Sequence, residues 1–217
     1  MCESPKTSRE HVPPKCLFPE QKDCENGVDY RKNLIKVPSC DLHNLAKSKD
    51  DEFMLITFAA CASVNGTGLN HQQKKLLRIL EKKSHVFIEL LKQSTPATYF
   101  DKDGVKHETC VFNLDKERFF KQLQQVSNGV YFHHLNKKVT KHTEVIPIKG
   151  FATDNIQVNE SNSVIAKQLP IIFKGKAKYG ENPEVFYYQV SSNEEEPLIK
   201  LVFYSGIEFV AAFNIDK

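Results

Sequence analysis

The sequence predicts an α+β chain: an N-terminal strand–loop–strand–helix unit, then a mixed helical and antiparallel-sheet region. Three observations predict it. Short Pro- and turn-rich extended pieces fill the first forty residues. Amphipathic patterns with a helical period fill the middle. β-branched and aromatic runs punctuated by turns fill the last third.

Taken in order, "HVPPKCLF" (11–18) and "NLIKVPS" (33–39) are the first extended pieces. Pro13 and Pro14 forbid helix there and favour extended backbone. The polar run "PEQKDCENGVDYRK" (19–32) joins them, so the pair reads as an irregular hairpin. A helix follows, capped by Ser39 or Asp41, with Leu45, Phe53, Ile56 and Phe58 on its apolar side, running to about Ala62. "SVNGTG" (63–68) ends it, because Asn-Gly and Thr-Gly mark turns. A soft domain boundary is expected near residue 65, separating 1–65 from 66–217.

Residues 70–94 form an amphipathic pattern with Leu76, Leu77, Ile79, Leu80, Val86, Phe87 and Leu90 on or beside one face. Lys74, Lys75, Lys82 and Lys83 lie largely opposite. "DKDG" (101–104) is a turn and "KHETCVFNL" a strand. Residues 115–138 read as a helix capped by Asp115, with a break allowed at Asn128-Gly129. "TEVIPIKGF" is strand-like and "NESNSVIAKQL" a short helix. "EVFYYQVSS", "PLIKLVFYSG" and "IEFVAAFNI" read as an antiparallel meander.

Composition narrows the function classes. The 217 residues suffice for a real buried core. No apolar run is long enough for a membrane helix, and the polar N-terminus predicts no secretory leader. Six irregularly spaced cysteines argue against a disulfide framework and for a reducing, cytoplasmic setting. Cys61 and Cys110 read as buried thiols. Residues 74–142 carry 14 Lys and Arg against 7 Asp and Glu, while 143–217 carry 7 against 10. A basic middle suits a polyanionic partner.

One ordered set carries chemistry: Glu10-His11, then Asn33, then Cys40, His43-Asn44 and Lys47. A histidine titrates near neutrality, so His11 can take a proton from water. Glu10 and Asn44 offer oxygen ligands, which suit a hard divalent ion such as Mg²⁺ or Mn²⁺. Such an ion against a phosphate stabilises a leaving alkoxide. Asn33, expected on the second strand beside His11, is placed to orient the imidazole. Lys47, at i+3 from Asn44, shares its helix face and is expected to grip a nucleic-acid phosphate.

With "REHVPPK", "NLIKVPSC" and "CDLHNLAKSKDDE" in that order, residues 2–58 resemble the HNH endonucleases, the ββα-metal nuclease family. The resemblance implies His11 as general base, Asn33 as its support, and Glu10 and Asn44 as ligands of one divalent ion. It also implies DNA more than RNA as substrate, with one nick per module. Many members hold structural Zn²⁺ through two Cys pairs. Here Cys40-x-x-His43 matches the second pair, and only Cys2 represents the first. Cys16 or Cys24 could stand in, or no zinc binds. Lys47 with Lys74, Lys75, Lys82 and Lys83 would hold the nucleic-acid backbone. A homodimer, or a partner protein in a bacterial restriction or phage-defence system, fits such a module. The competing reading is a catalytically silent nucleic-acid-binding or regulatory subunit.

Two further features attract attention. His133, His134 and His142 lie near Lys137, Lys138 and Lys141, a second metal or phosphate candidate. Phe186, Tyr187, Tyr188, Phe203 and Tyr204 are candidates for base stacking, although strand alternation sends about half of such a set into a core.

Overall fold

The computed structural model describes residues 6–24, 27–40, 48–59, 65–71, 73–74, 77–78, 81, 92, 94–100, 104–112, 114–151, 155–193 and 195–215. The chain is α+β, and its sheets are antiparallel.

Strand β1 (Ser8–His11) pairs with β2 (Lys36–Ser39), with Ser8 opposite Ser39 and His11 opposite Lys36. The ladder extends one bond further, from Val12 N–H to the Ile35 carbonyl. β1 therefore lies before the Pro13–Pro14 pair, not along 11–18 as expected. Neither proline has an N–H to give a ladder, so the chain leaves the sheet there. It turns instead through short 3-10 segments at Lys15–Leu17 and Gln21–Asp23. Helix α1 (Ser48–Ala59) follows, with Asp50 and Asp51 in its first turn, where the helix dipole favours carboxylates. A metal-centred ββα unit is not identifiable among the described residues. The ribbon and the helix are present, but residues 41–47, expected to carry the third motif, lie outside them.

Further helical residues lie between 65 and 81. Strands β3 (Ser94–Phe100) and β4 (Lys106–Phe112) form a second ribbon. Helix α2 (Lys116–Leu135) is capped by Asp115, whose carboxylate accepts from Arg118 N–H at 3.0 Å, and closed by Asn136 in the left-handed region. It does not break at Asn128-Gly129. Gly129 is required for another reason: a Cβ there would lie 2.7 Å from a Val12 methyl. Val12, the residue after β1, packs directly on the α2 backbone.

Strand β5 (His142–Lys149), helix α3 (Ile156–Ile172) and strands β6 (Tyr179–Asn182), β7 (Phe186–Val190), β8 (Ile199–Phe203) and β9 (Ile207–Ile215) complete the chain. The strands form one sheet in the order β5-β9-β8-β7-β6. The expected three-stranded meander is its centre. Alternation divides β9 between two apolar layers. Ile207, Phe209, Ala211 and Phe213 join the main core; Val210 packs with Leu169 and Phe173 of the α3 end.

The main core crosses residue 65 without a seam. Val12, Leu17, Phe18 and Val37 from the N-terminal segment and Met54 and Phe58 from α1 lie in one buried cluster with Phe119, Phe203 and Phe209. The Phe58 ring lies 4.8 Å from Phe203 and 5.9 Å, edge-on, from Phe119. Tyr204 ties the parts further. Its hydroxyl donates to the Leu17 carbonyl, its N–H to Val185, and its carbonyl accepts from Asn65 N–H.

Candidate functional site

The β1–β2 ribbon presents two different faces. Residues two apart on a strand share a face, so Ser8, Glu10 and Val12 lie on one, Arg9 and His11 on the other. The first face turns inward: Val12 is buried on α2, and Val37, opposite Glu10, is 3 % exposed. Glu10 is half-buried there, and its carboxylate accepts from the Ser39 hydroxyl at 3.3 Å, a diagonal neighbour across the ribbon.

His11 occupies the other face at the last position of β1. Burial pushes its pKa below the ordinary histidine value of 6.5, and the charges of Lys36, Lys15 and Arg31 push it the same way. Lys36 is its cross-strand partner. Arg31 is braced by donating its Nε–H to the Phe18 carbonyl at 3.0 Å and by pairing with Glu20 at 3.4 Å. The result is an imidazole kept neutral near pH 7 and surrounded by cations. Sequence reasoning did not find these three cations. Lys15 stands four residues after His11, beyond a Pro pair whose turn returns it toward the strand. Lys36 becomes a neighbour only through strand register, and Arg31 through the loop.

Asn33 is not on the second strand. It lies in the turn before β2, exposed, with a φ of 53°, a conformation Asn tolerates better than most residues. Among the described residues no side chain hydrogen-bonds to the His11 imidazole, and Asn33 is not shown to orient it. Asn33 instead lines a shallow cleft with Val12, Pro13, Ile35, Glu181 and Asn182. The turn is anchored from the far end of the chain. Asn182 donates to the Lys32 carbonyl at 3.2 Å, and Tyr30 donates to the Glu184 carboxylate, which also accepts from Thr67. Those two hydrogen bonds hold the Glu184 carboxyl below its ordinary value.

Asn44, His43, Lys47 and Cys2 lie outside the described residues, as do Lys75, Lys82 and Lys83. Of the expected zinc ligands Cys40 is described, and it is buried. The candidate substitutes are otherwise engaged. Cys16 donates its thiol hydrogen to the Asp51 carbonyl and Cys24 to the Glu20 carbonyl. Burial, followed by the Asp23 charge, pushes the Cys24 thiol up, away from the thiolate a metal needs. No group of three or more His, Cys, Asp or Glu side chains suited to a metal ion occurs among the described residues. Lys74 donates to the Asp23 carbonyl, beside the ion pair of Arg78 with the buried Asp23 carboxylate. It therefore bonds the helical stretch to the first loop and is not presented as an open phosphate contact.

The two secondary candidates resolve into packing. Phe186, Tyr188, Phe203 and Tyr204 are all buried, leaving Tyr187 half-exposed under the Lys178 ammonium, 4.7 Å from its ring centre. Burial drives the Tyr188 hydroxyl up to about 12. His134 meets that hydroxyl at 3.3 Å, and His142 meets Glu144 at 3.2 Å, so these two histidines are separately engaged. No described helix is long and apolar enough to cross a membrane. The chain matches no protein-family model, no curated protein and no solved structure.

Proposed function

We propose that this chain is a metal-dependent endonuclease of the HNH type that hydrolyses DNA phosphodiester bonds, with His11 as general base. The observation that carries the reading is the state of His11. A general base must be unprotonated at working pH, and a phosphodiester is an anion. A neutral imidazole ringed by Lys36, Lys15 and Arg31 meets both requirements at once.

His11 takes the proton of a water molecule as the water oxygen forms a bond to phosphorus and an ester P–O bond breaks. Lys15 and Lys36, both exposed, hold the non-bridging oxygens. Glu10 would supply a carboxylate ligand for Mg²⁺ or Mn²⁺, with Asn44 as the expected second ligand. The fit rests on the donor set. Beside the half-buried Glu10 carboxylate, this inward face carries the buried Ser8 hydroxyl, and hard cations take such oxygens. A divalent ion held there would supply charge stabilisation to a developing alkoxide. Glu10 and His11 lie on opposite faces of the ribbon, and among the described residues the far edge of β1 carries no further strand.

The test is conversion of supercoiled plasmid to open circle in Mg²⁺ or Mn²⁺, with EDTA and His11→Ala controls. Wild type should nick in metal alone, and His11→Ala should lose about 10²- to 10⁴-fold in rate while still binding DNA. Metal-independent nicking, or equal rates for wild type and His11→Ala, would sink the reading.

A further inference from the structure

Helix α3 has two apolar sides, and the fold covers one of them. Ile165, Leu169 and the closing Phe173 pack with Ile148, Leu198 and Val210. On the opposite side Ile156 is 73 % exposed, Val164 61 % and Ile171 71 %. Apolar residues scattered singly over a surface need no explanation, but these three share one helix face. Glu160 and Lys167, also exposed, stand between them. The order is Ile156, Glu160, Val164, Lys167, Ile171, at steps of four, four, three and four residues. That spacing keeps all five within about 80° of the helix circumference.

This stripe is complementary to itself reversed. Its midpoint falls between Ser163 and Val164. Turned end for end about that point, Ile156 falls on Ile171 and Glu160 falls on Lys167. A two-fold interface requires this relation: one residue meets a second, and the second meets the first. Both charge contacts then join opposite signs. A copy laid parallel and in register would instead set Glu160 against Glu160 and Lys167 against Lys167. At the midpoint Val164 meets its own copy, and the small, exposed Ser163 beside it lets the helices approach.

The two charges are not used along their own helix. Glu160 and Lys167 are two turns apart, beyond the i, i+3 and i, i+4 spacings at which helical side chains pair. No residue at those spacings from either of them carries a charge.

We infer that the exposed face of α3 docks on the same face of a second copy of this chain, as an antiparallel helix pair centred at Ser163–Val164. Charge complementarity selects the copy and fixes the antiparallel sense. The helix has 17 residues and is about 25 Å long. One helix pair of that length is smaller than the roughly 1,200–2,000 Å² of a stable interface, so monomer and dimer should exchange with concentration. The inference goes beyond the nuclease reading and does not depend on it. Where both hold, one particle carries two His11 centres.

The experiment is sedimentation equilibrium of the full chain up to about 1 mM, the concentration beyond which association carries little free energy. Wild type should move from monomer to dimer. Val164→Glu sets two carboxylates beside the axis and should weaken association at least about tenfold. Because Val164 is exposed, its Tm at low concentration should match wild type. Glu160→Lys and Lys167→Glu each bring like charges together at both contacts, so each variant alone should associate more weakly than wild type. Mixed in equal amounts they restore opposite signs at both contacts, and association should return. A wild type that stays monomeric overturns the inference and leaves the face to a different partner. A dimer indifferent to Val164→Glu, or charge variants that mixing does not rescue, overturns it as well.

Discussion

The β1–β2 ribbon and the five-stranded sheet are both antiparallel, but they are held in different ways. The sheet is self-sufficient. Its central strands bury Ile199, Leu201, Phe203, Ile207 and Phe209 to complete exclusion, and its ladders satisfy their own backbone groups. The ribbon has four residues on each strand, too few to stand alone in water. It is held from outside by Gly129, by the Tyr204 hydroxyl on Leu17, and by Asn182 and Glu184 on the loop. The sheet spends its side chains on packing. The ribbon keeps a histidine among cations on one face and, on the other, the buried Ser8 hydroxyl, which has no hydrogen-bond partner among the described residues. Groups of that kind persist only where a scaffold imposes them.

Three perturbations break or sharpen this contrast. The largest effect belongs to Phe58, which lies where ribbon, α1 and sheet share one core. Phe58→Ala should cost about 3–5 kcal/mol, and chemical denaturation should still show one transition, with β1–β2 and the sheet lost together. Two transitions would show that the ribbon and sheet fold separately.

Next is Gly129→Ala. The added methyl collides with a stiff valine, and overpacking of this kind costs about 1–3 kcal/mol. Because it pushes on Val12, the loss should extend beyond stability. Amide hydrogen exchange of residues 8–12 should accelerate more than that of β8. Equal effects on both would mean the ribbon is not specially dependent on α2.

The smallest effect is electrostatic. The His11 pKa lies below 6.5, so neutral imidazole, and with it nicking, should persist into mildly acidic solution, with the acid limb below 6.5. Lys36→Gln removes one of the charges responsible and should move that limb to higher pH, leaving the burial contribution in place. The sign for stability is parallel. The unfolded chain takes up a proton at His11 more readily, so this contribution is present above the unfolded value and is lost as pH falls through the folded one. An acid limb unmoved in Lys36→Gln would separate Lys36 from the His11 environment.

Several features were legible in the sequence for local reasons. The capping Asp115, the α2 helix and the three central strands follow from periodicity and turn chemistry, which a short window contains. Gly129 was legible as a glycine but not in its role: Asn-Gly reads locally as a break, and only the neighbour from β1 shows that the helix needs the missing methyl. β3 was missed because "STPATYF" carries a proline, which demotes a strand assignment and is tolerated in a two-stranded ribbon, where each strand has a free edge. The stacking aromatics failed because alternation fixes only which residues share a face, not which face is buried.

The sequence by itself determined the α+β class, the order of most elements and the Glu10-His11 pair, since propensity, period and motif spacing are properties of neighbours along the chain. Only the tertiary structure decided that Asn33 stands in a turn, that Lys15, Arg31 and Lys36 gather at His11, and that Gln122 is buried within α2. Those are relations between residues far apart in sequence. Strand register and helix packing create them, and both are set by the shared core.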